Sequence, residues 1–184
     1  MKKLLTDDMV FLYEDESHIR DYQALRATWA EIGKQKKIPT YGHHASVTLF
    51  GVVNVLDGDV FCMQAEQCNA ETFRSFLKNV LEWYANKTVV MVLDNARIYR
   101  AKLIQPLLEE NRNQLFFIFL PPYSPNLNPI ERLWKWLKES VIVNRFHKNK
   151  KGIEKSVQTF LEFVQASADQ ILHRPGCKSE KSKC

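Results

Sequence analysis

The sequence lacks the features that mark several common protein classes. Its 184 residues include only four cysteines, and no two of them have the C-x-x-C spacing of a zinc site or a redox motif. The longest apolar runs, Val89–Leu93 and Leu115–Leu120, are far too short to span a bilayer. Thr6, Asp7 and Asp8 interrupt the start of the chain before the apolar core of a signal peptide forms. We therefore expect a soluble protein without a membrane partner, in the reducing environment of the cytoplasm.

Positive charge is present in moderate excess. The chain has 26 lysines and arginines against 21 aspartates and glutamates, which gives a net charge of +5 and a pI of about 9.0. This mild basicity suits a polyanionic partner, but a generic basic surface explains the value equally well. The length suits one domain. We expect that domain over residues 1–175 and a polar tail over residues 176–184.

Apolar runs of strand character alternate with segments of helical periodicity. The strand-like runs are Met9–Tyr13, Ala45–Val55, Val60–Gln64, Thr88–Leu93 and Leu115–Leu120, with Asp57-Gly58 as a hairpin turn between the second and the third. Helices are predicted over residues 69–85 with Asn69 as the cap, over residues 101–110, from Pro129 onward with Asn128 as the cap, and over residues 152–173. Residues 18–44 are polar and basic and predict a loop. Fully apolar strands with helices between them predict an α/β fold with a mixed central sheet covered on both faces.

Three acidic residues stand where these predicted elements end or begin. We expect Asp15 at the end of the first strand, Asp94 at the end of an all-apolar strand, and Glu131 in the first turn of a helix. A carboxylate at the end of a buried strand is costly unless its charge is compensated. Three hard oxygen donors favour Mg²⁺ or Mn²⁺ over Zn²⁺, and such sites hold two ions about 3.5–4 Å apart. Taken singly, each acid also has a plain structural explanation, as a helix-dipole, turn or solvated surface residue.

The residues around these acids resemble a known enzyme family. Val92–Lys102 and the proline-rich stretch Leu120–Trp134 (LPPYSPNLNPIERLW) are similar to the second- and third-acid motifs of the DDE transposases of the mariner-like superfamily, especially its bacterial insertion-sequence branch. Glu14–Ser17 resembles the first-acid motif. Thirty-six residues separate Asp94 from Glu131, close to the gap that this family keeps. The resemblance covers roughly residues 9–165 and implies a ribonuclease-H-like fold.

The resemblance also implies an activity. It assigns Asp15, Asp94 and Glu131 as the catalytic residues and as the ligands of two Mg²⁺ or Mn²⁺ ions. Enzymes of this kind cut DNA at transposon ends and transfer the strand into target DNA by in-line phosphoryl transfer. We therefore expect DNA as the partner and association with the nucleoid. A homodimer is consistent with the need to pair two ends.

Basic residues near the second and third acids are the expected DNA contacts. They are Arg97, Arg100, Lys102, Lys135 and Lys138. Side chains of this type would hold phosphates and carry no sequence information, although a solvated helix surface explains them as well. Asn95 could orient metal-bound water or cap the local backbone. Of the two tryptophans beside the lysines, Trp134 suits the core and Trp136 is the better candidate for exposure.

Two departures from the family pattern leave alternatives open. Tyr99 stands where relatives often carry histidine. The family's N-terminal helix-turn-helix region, which reads DNA ends, has no counterpart before the first strand, so we expect a separate chain or reading frame to carry it. One alternative is a non-catalytic DNA-binding or regulatory fragment of a split or truncated transposase. Another is a nuclease of the same fold that cleaves without strand transfer.

Overall fold

The fold is a five-stranded sheet with helices on both sides, seen in a computed structural model that describes residues 8–20, 31–34, 45–122, 127–143, 145 and 147–167. The strands are β1 (Met9–Arg20), β2 (Ser46–Asn54), β3 (Val60–Ala65), β4 (Thr88–Leu93) and β5 (Leu115–Phe119). The helices are α1 (Ala70–Trp83), α2 (Gln105–Glu110), α3 (Ile130–Val141) and α4 (Lys150–Gln165), with a 3-10 turn at Arg97–Arg100. Within these ranges, no helix has the length and apolarity needed to cross a membrane.

The sheet is mixed, as predicted. Its strand order is β3-β2-β1-β4-β5, with antiparallel pairing among β3, β2 and β1 and parallel pairing among β1, β4 and β5. Helices α1 and α2 provide the crossovers that parallel strands require. Because β1 and β4 run in parallel, their carboxyl ends meet at one edge of the sheet, and that edge carries two of the three predicted acids.

Two hydrophobic cores form, one on each face of the sheet. The first lies beneath α1 and α2 and includes Phe50, Phe73 and Phe76. The second lies beneath α3 and α4 and includes Trp134 and Leu137. The predicted cap of α1 is confirmed, because the Asn69 side chain accepts a hydrogen bond from the Thr72 amide at 2.9 Å.

Strand β1 is longer than the apolar run, Met9–Tyr13, from which we predicted it. We expected β1 to end at the acidic residues, and this was wrong: it continues to Arg20, so Asp15 lies inside a strand and residues 18–20 are not loop. Pairing with β4 does stop at Tyr13, opposite Val92. Pairing with β2 continues to Arg20, opposite Ser46, and these antiparallel hydrogen bonds hold the polar half of the strand extended.

The helix predicted over residues 101–110 begins later than expected. The chain first makes the 3-10 turn at Arg97–Arg100, and α2 starts at Gln105. Pro106 explains the shift, because proline is tolerated in the first turn of a helix but not in its interior. The last helix also differs from the prediction: α4 begins at Lys150 rather than at residue 152, because the Asn149 side chain caps it.

The sheet is not fully covered. On the edge strand β5, Phe116 and Ile118 are 45% and 46% exposed, so the expectation of two buried faces fails there. Several other predictions fall on residues 21–30, 35–44 and 168–184, which lie outside the described residues. These are the rest of the basic loop, the end of the last helix and the polar tail.

Gly51 lets α3 lie directly on the sheet. A Cβ atom at this position would stand 2.5 Å from Cη2 and 2.8 Å from Cζ2 of Trp134, far inside van der Waals contact. Cys62 Sγ would be 3.0 Å away on the neighbouring strand. Gly51 pairs with Asp15 in the sheet, and Trp134 follows Glu131 by about one helical turn. The close approach of helix and sheet at Gly51 therefore sets the height of Glu131 relative to Asp15.

We expect Gly51→Ala to lower the free energy of unfolding by about 1–3 kcal/mol, because the added methyl group overpacks the contact with Trp134. Denaturant melts measure this change. Gly152→Ala is the matched control: its Cβ would meet no atom closer than 3.7 Å, so alanine at this helical position should be neutral or stabilising.

The Trp134→Phe background tests the cause of that loss. Phenylalanine removes the ring atoms nearest Gly51, so the Gly51→Ala change should cost less in this background, with a coupling energy of at least about 0.5 kcal/mol. Additive effects of the two changes would show that the destabilisation has another origin.

Candidate active site

The three predicted acids come from two strands and one helix. Asp15 lies two residues beyond the last β1–β4 pair, and Asp94 lies two residues beyond it on the other strand, so both occupy the same edge. Glu131 lies in the first turn of α3, which packs on β1 and β2. Asp94 and Glu131 are exposed, whereas Asp15, within β1, is half-buried. The negative charges of Glu131 and Asp94 both act on the Asp15 carboxyl group, so the three predicted acids lie in the same neighbourhood of the sheet.

The charge of this edge acts most strongly on Asp15. Burial, followed by the negative charges of Glu131 and Glu16, raises the pKa of its carboxyl group from 3.8 to about 8. Asp94 contributes in the same direction. Desolvation and like charges both disfavour the ionised form of a carboxyl group. Near neutral pH, Asp15 consequently holds a proton unless a cation lies beside it.

The start of α3 is tied to the backbone beside Asp15. Asn128 is buried, and its Nδ2 donates to the Glu14 carbonyl oxygen at 2.9 Å. Its Oδ1 accepts from the Ile130 amide at 3.3 Å. Pro129 is the residue directly before α3, but it makes no capping bond, and the Asn128 side chain accepts from the helix start as the predicted cap would. Asn128 also fastens that start to β1. This link is a long-range contact that the local sequence does not reveal.

A second set of contacts fixes the turn that carries Asp94. The Ala96 amide donates to Asp94 Oδ1 at 2.7 Å, which closes a tight turn after β4. Asn95 Nδ2 donates to the Leu120 carbonyl oxygen at 2.6 Å. Arg100 donates to Asn95 Oδ1 at 2.9 Å. Of the two roles considered for Asn95, the structure supports the backbone contact, which joins the Asp94 turn to the start of the proline-rich loop.

The donors at this edge suit a hard divalent cation in chemistry. All three are carboxylates, and the raised pKa of Asp15 reflects a negative field that a cation would offset. The three carboxyl groups are spaced more widely than the ligands of a closed metal site. Across the part of the chain that the structure describes, no three histidine, cysteine or acidic side chains stand close enough to surround one ion.

Comparison with known proteins identifies the family. A family profile described as "DDE superfamily endonuclease" matches residues 10–154, which is most of the chain. The chain belongs to this family. It is also 31% identical over 153 residues to the "Insertion element IS630 uncharacterized 39 kDa protein" of Shigella sonnei. That match covers 83% of this chain and 44% of the relative, so the chain spans less than half of that relative's length.

Solved structures agree with this DDE family assignment at the level of the fold. The crystal structure of the catalytic domain of Mos1 mariner transposase has a TM-score of 0.59 at 15% identity, over 95% of this chain and 83% of that one. The Mos1 paired-end complex with the left transposon end has a TM-score of 0.64 at 16% identity, over 93% of this chain and 55% of that one. The fold of this DDE domain is therefore ribonuclease-H-like, as the resemblance implied.

Sequence reasoning missed a second acidic group on the other face of β1. Glu14 and Glu16 alternate with Asp15 along the strand, so they point away from α3. Glu14 is 1% exposed, and burial raises the pKa of its carboxyl group well above the ordinary value. The Tyr99 hydroxyl donates its single proton to Glu16 at 2.8 Å. Both Glu14 carboxylate oxygens lack a hydrogen-bond partner among the residues described.

In the sequence, the tyrosine at position 99 was the feature that pointed to the second acidic group, Glu14 and Glu16. Tyr99 is buried against Phe73, with ring centroids 4.7 Å apart, and its hydroxyl reaches Glu16 from the 3-10 turn. The sequence marked Tyr99 as a departure from its relatives but gave it no partner. Glu16 could be identified as the partner of Tyr99 only from the structure, in which β1 extends past Asp15.

The predicted DNA contacts of this DDE domain lie in different environments. Arg97 and Lys135 are exposed, and Lys138 is half-buried. Arg100 is exposed but already paired within the chain, because it donates to Asn95 and lies 4.6 Å above the centre of the Phe119 ring. Lys102 lines a cavity beside α1, on the opposite side of the sheet from α3.

The two tryptophans of α3 are both used in packing. Trp134 is in the core, as predicted. Trp136 is the more exposed of the pair, also as predicted, but its ring packs edge-on against Phe160 and Phe163 of α4 at centroid distances of 5.0 and 5.9 Å. It therefore joins the two helices instead of offering a face to bases.

The pH dependence of stability tests the state of Asp15. Its pKa in the folded protein, about 8, lies above its ordinary value of 3.8, so the protonated group stabilises the fold at low pH and this contribution is lost as the pH rises toward 8. Asp15→Asn cannot ionise. Its stability relative to the parent should therefore increase between about pH 4 and 8, by at most about 1.4 kcal/mol per pH unit.

Denaturant melts at a series of pH values in a chelator measure this difference. Asp8→Asn, at an exposed carboxylate near the start of β1, gives the baseline for the loss of one negative charge. Parallel stability curves for the parent and Asp15→Asn across this pH range would contradict the raised pKa of Asp15.

Proposed function

We propose that this chain is the catalytic part of a transposase that cuts DNA at transposon ends and transfers the strand into target DNA. Asp15, Asp94 and Glu131 are its catalytic residues in this proposal. The observation that carries it is the placement of these acids, from two strands and a helix, at one edge of the sheet, where burial and the neighbouring negative charges raise the pKa of Asp15 to about 8. Perturbed carboxyl groups at a strand-end edge are typical of catalytic sites.

The relatives support the same conclusion. The curated relative belongs to an insertion element. Mos1 transposase, which shares the fold, has been solved in complex with a transposon end, in a strand transfer complex, and in paired-end complexes with Mg and with Mn. These partners suggest DNA as the substrate of this chain and a divalent cation as its cofactor.

The cofactor would lie among the three acids. Asp15, Asp94 and Glu131 would hold Mg²⁺ or Mn²⁺, in two-ion form, and bound ions of this kind activate the attacking oxygen and stabilise the leaving oxygen of an in-line displacement. Asp15 would release its proton to solvent when a cation binds, because the positive charge lowers the pKa that burial and the neighbouring carboxylates raise. In this proposal the three carboxylates form no covalent bond with the DNA, and they serve only to position the bound ions.

The supporting contacts fix the acids before the substrate arrives. Asn128 fastens the start of α3 to the Glu14 carbonyl, and Trp134 sets the height of that helix above Gly51. Asn95 ties the Asp94 turn to Leu120. Catalytic groups need this kind of preorganisation, since small displacements weaken charge stabilisation of the transition state.

The wider arrangement of the protein is part of the same proposal. Residues 1–175 would be the catalytic domain, pairing of two DNA ends would use a dimer, and a helix-turn-helix region outside this fold would read the ends. Action on chromosomal DNA associates the protein with the nucleoid. Arg97, Lys135 and Lys138 remain the proposed phosphate contacts near the acids.

Glu131→Gln tests the assignment of the site. The amide keeps the size of the side chain and removes its charge, so Mg²⁺- or Mn²⁺-dependent cleavage and strand transfer should fall by at least about 100-fold while DNA binding in a chelator persists. Cleavage and joining of labelled duplexes are scored separately on gels.

Glu109→Gln provides the control for this experiment. It makes the same chemical change at an exposed position of α2, away from α3, and should leave both reactions unchanged. Cleavage that survives in Glu131→Gln would refute the site. Cleavage without joining in the parent would instead favour a nuclease.

A further inference from the structure

A basic cavity lies between α1 and α2, on the face of the sheet opposite α3. Its volume is about 550 Å³. Arg74 and Lys78 line it from α1, and Lys102 lines it from the turn before α2. Glu110 is the one acidic residue in its lining, and Leu103 and Pro106 add apolar surface. The cavity thus has three cationic side chains and one carboxylate in its lining, and it lies apart from the acidic edge.

In the described part of the structure, the side chains of Arg74, Lys78 and Lys102 form no hydrogen bond or salt bridge with another residue, although their backbones take part in the helix and the turn. Unpaired cations that share a cavity repel one another, so the arrangement is unfavourable for the protein alone. An anionic ligand would relieve that repulsion.

The form of the cavity favours a polymer backbone over an enclosed small molecule. Sites for small ligands bury most of the ligand surface. Here Lys78, Lys102 and Leu103 are exposed, so the walls are open. Arg74 and Lys78 are one helical turn apart, about 6 Å along α1, which spreads positive charge along a line. A line of unpaired cations is the usual way in which proteins hold nucleic-acid phosphates.

We propose that the Arg74–Lys78–Lys102 cavity binds the phosphate backbone of DNA, as a second contact surface apart from the acidic edge. The 3-10 turn at Arg97–Arg100 carries the chain from Asp94 to Lys102 and so joins the two surfaces. A surface of this kind holds DNA that is not being cut. It adds affinity without sequence preference, because phosphates carry no base information. The inference rests on the proposed function only in that DNA is the substrate.

The salt dependence of DNA binding tests this surface directly. The triple variant Arg74→Ala, Lys78→Ala, Lys102→Ala should bind a labelled duplex with a slope of log affinity against log salt that is less steep by about 2.7, or about 0.9 for each lost phosphate contact. Binding is measured in a chelator between about 50 and 200 mM salt, so no cleavage step enters the result. Thermal melts verify that the variant is folded.

The matched control removes three cations from elsewhere on the surface. Lys87→Ala, Lys151→Ala, Lys155→Ala changes the net charge equally but leaves the cavity intact, and its salt slope should equal that of the parent. Equal loss of slope in both triple variants would overturn the proposal, since only net charge would then matter. An unchanged slope in the cavity variant would overturn it as well.

Competition separates DNA from a small phosphate ligand. Neither inorganic phosphate nor a nucleoside triphosphate should displace the duplex at concentrations matched in ionic strength to the salt control. Displacement of the duplex from the parent but not from the cavity variant would reassign the cavity to the small ligand. Failure of the proposed function appears differently: the parent would not cleave DNA with Mg²⁺ or Mn²⁺, while the salt-slope difference between the variants would remain.

Discussion

Carboxylates crowded at one edge of the sheet repel one another, and the surrounding fold must hold them in place against that repulsion. Asp15 experiences burial and the charges of Glu131, Glu16 and Asp94 together, and each of these raises its pKa. Nothing in that group of acids favours its own assembly. The acids are held together by contacts made elsewhere, on the backbone and in the core, whose free energy exceeds the repulsion.

Those contacts are short-range and rigid. Trp134 fills the space that Gly51 leaves open, and Asn128 bonds the backbone of β1, so α3 has little freedom to move its first turn away. Asn95 acts similarly for the Asp94 turn. In the proposed function, this rigid support keeps the acids in place, so a bound cation would replace the proton of Asp15 and offset the charges of its neighbours.

The acidic residues lie at the strand ends, whereas basic residues lie on both faces of the sheet. Acidic residues at the strand ends repel a DNA backbone as well as one another, so a DNA-cutting domain needs cations to bring its substrate close. In the proposal made for this chain, basic residues on α3 and in the cavity between α1 and α2 supply that attraction from both sides. Arg100, which the sequence grouped with them, stabilises the Asn95 turn instead.

The element order and the mixed sheet could be predicted from the sequence, because apolar periodicity and short motifs are local properties, whereas Asp15, Asp94 and Glu131 were proposed as the catalytic acids from the family resemblance. The sequence also predicted the cap of α1 at Asn69. Where β1 ends could not be predicted locally, since the polar half of the strand is held extended by β2 rather than by its own residues. The partners of Tyr99 and Asn128 were hidden for the same reason: Glu16 lies 83 and the Glu14 carbonyl 114 residues away along the chain. Contacts over such separations depend on how strands and helices pack, which no local pattern records.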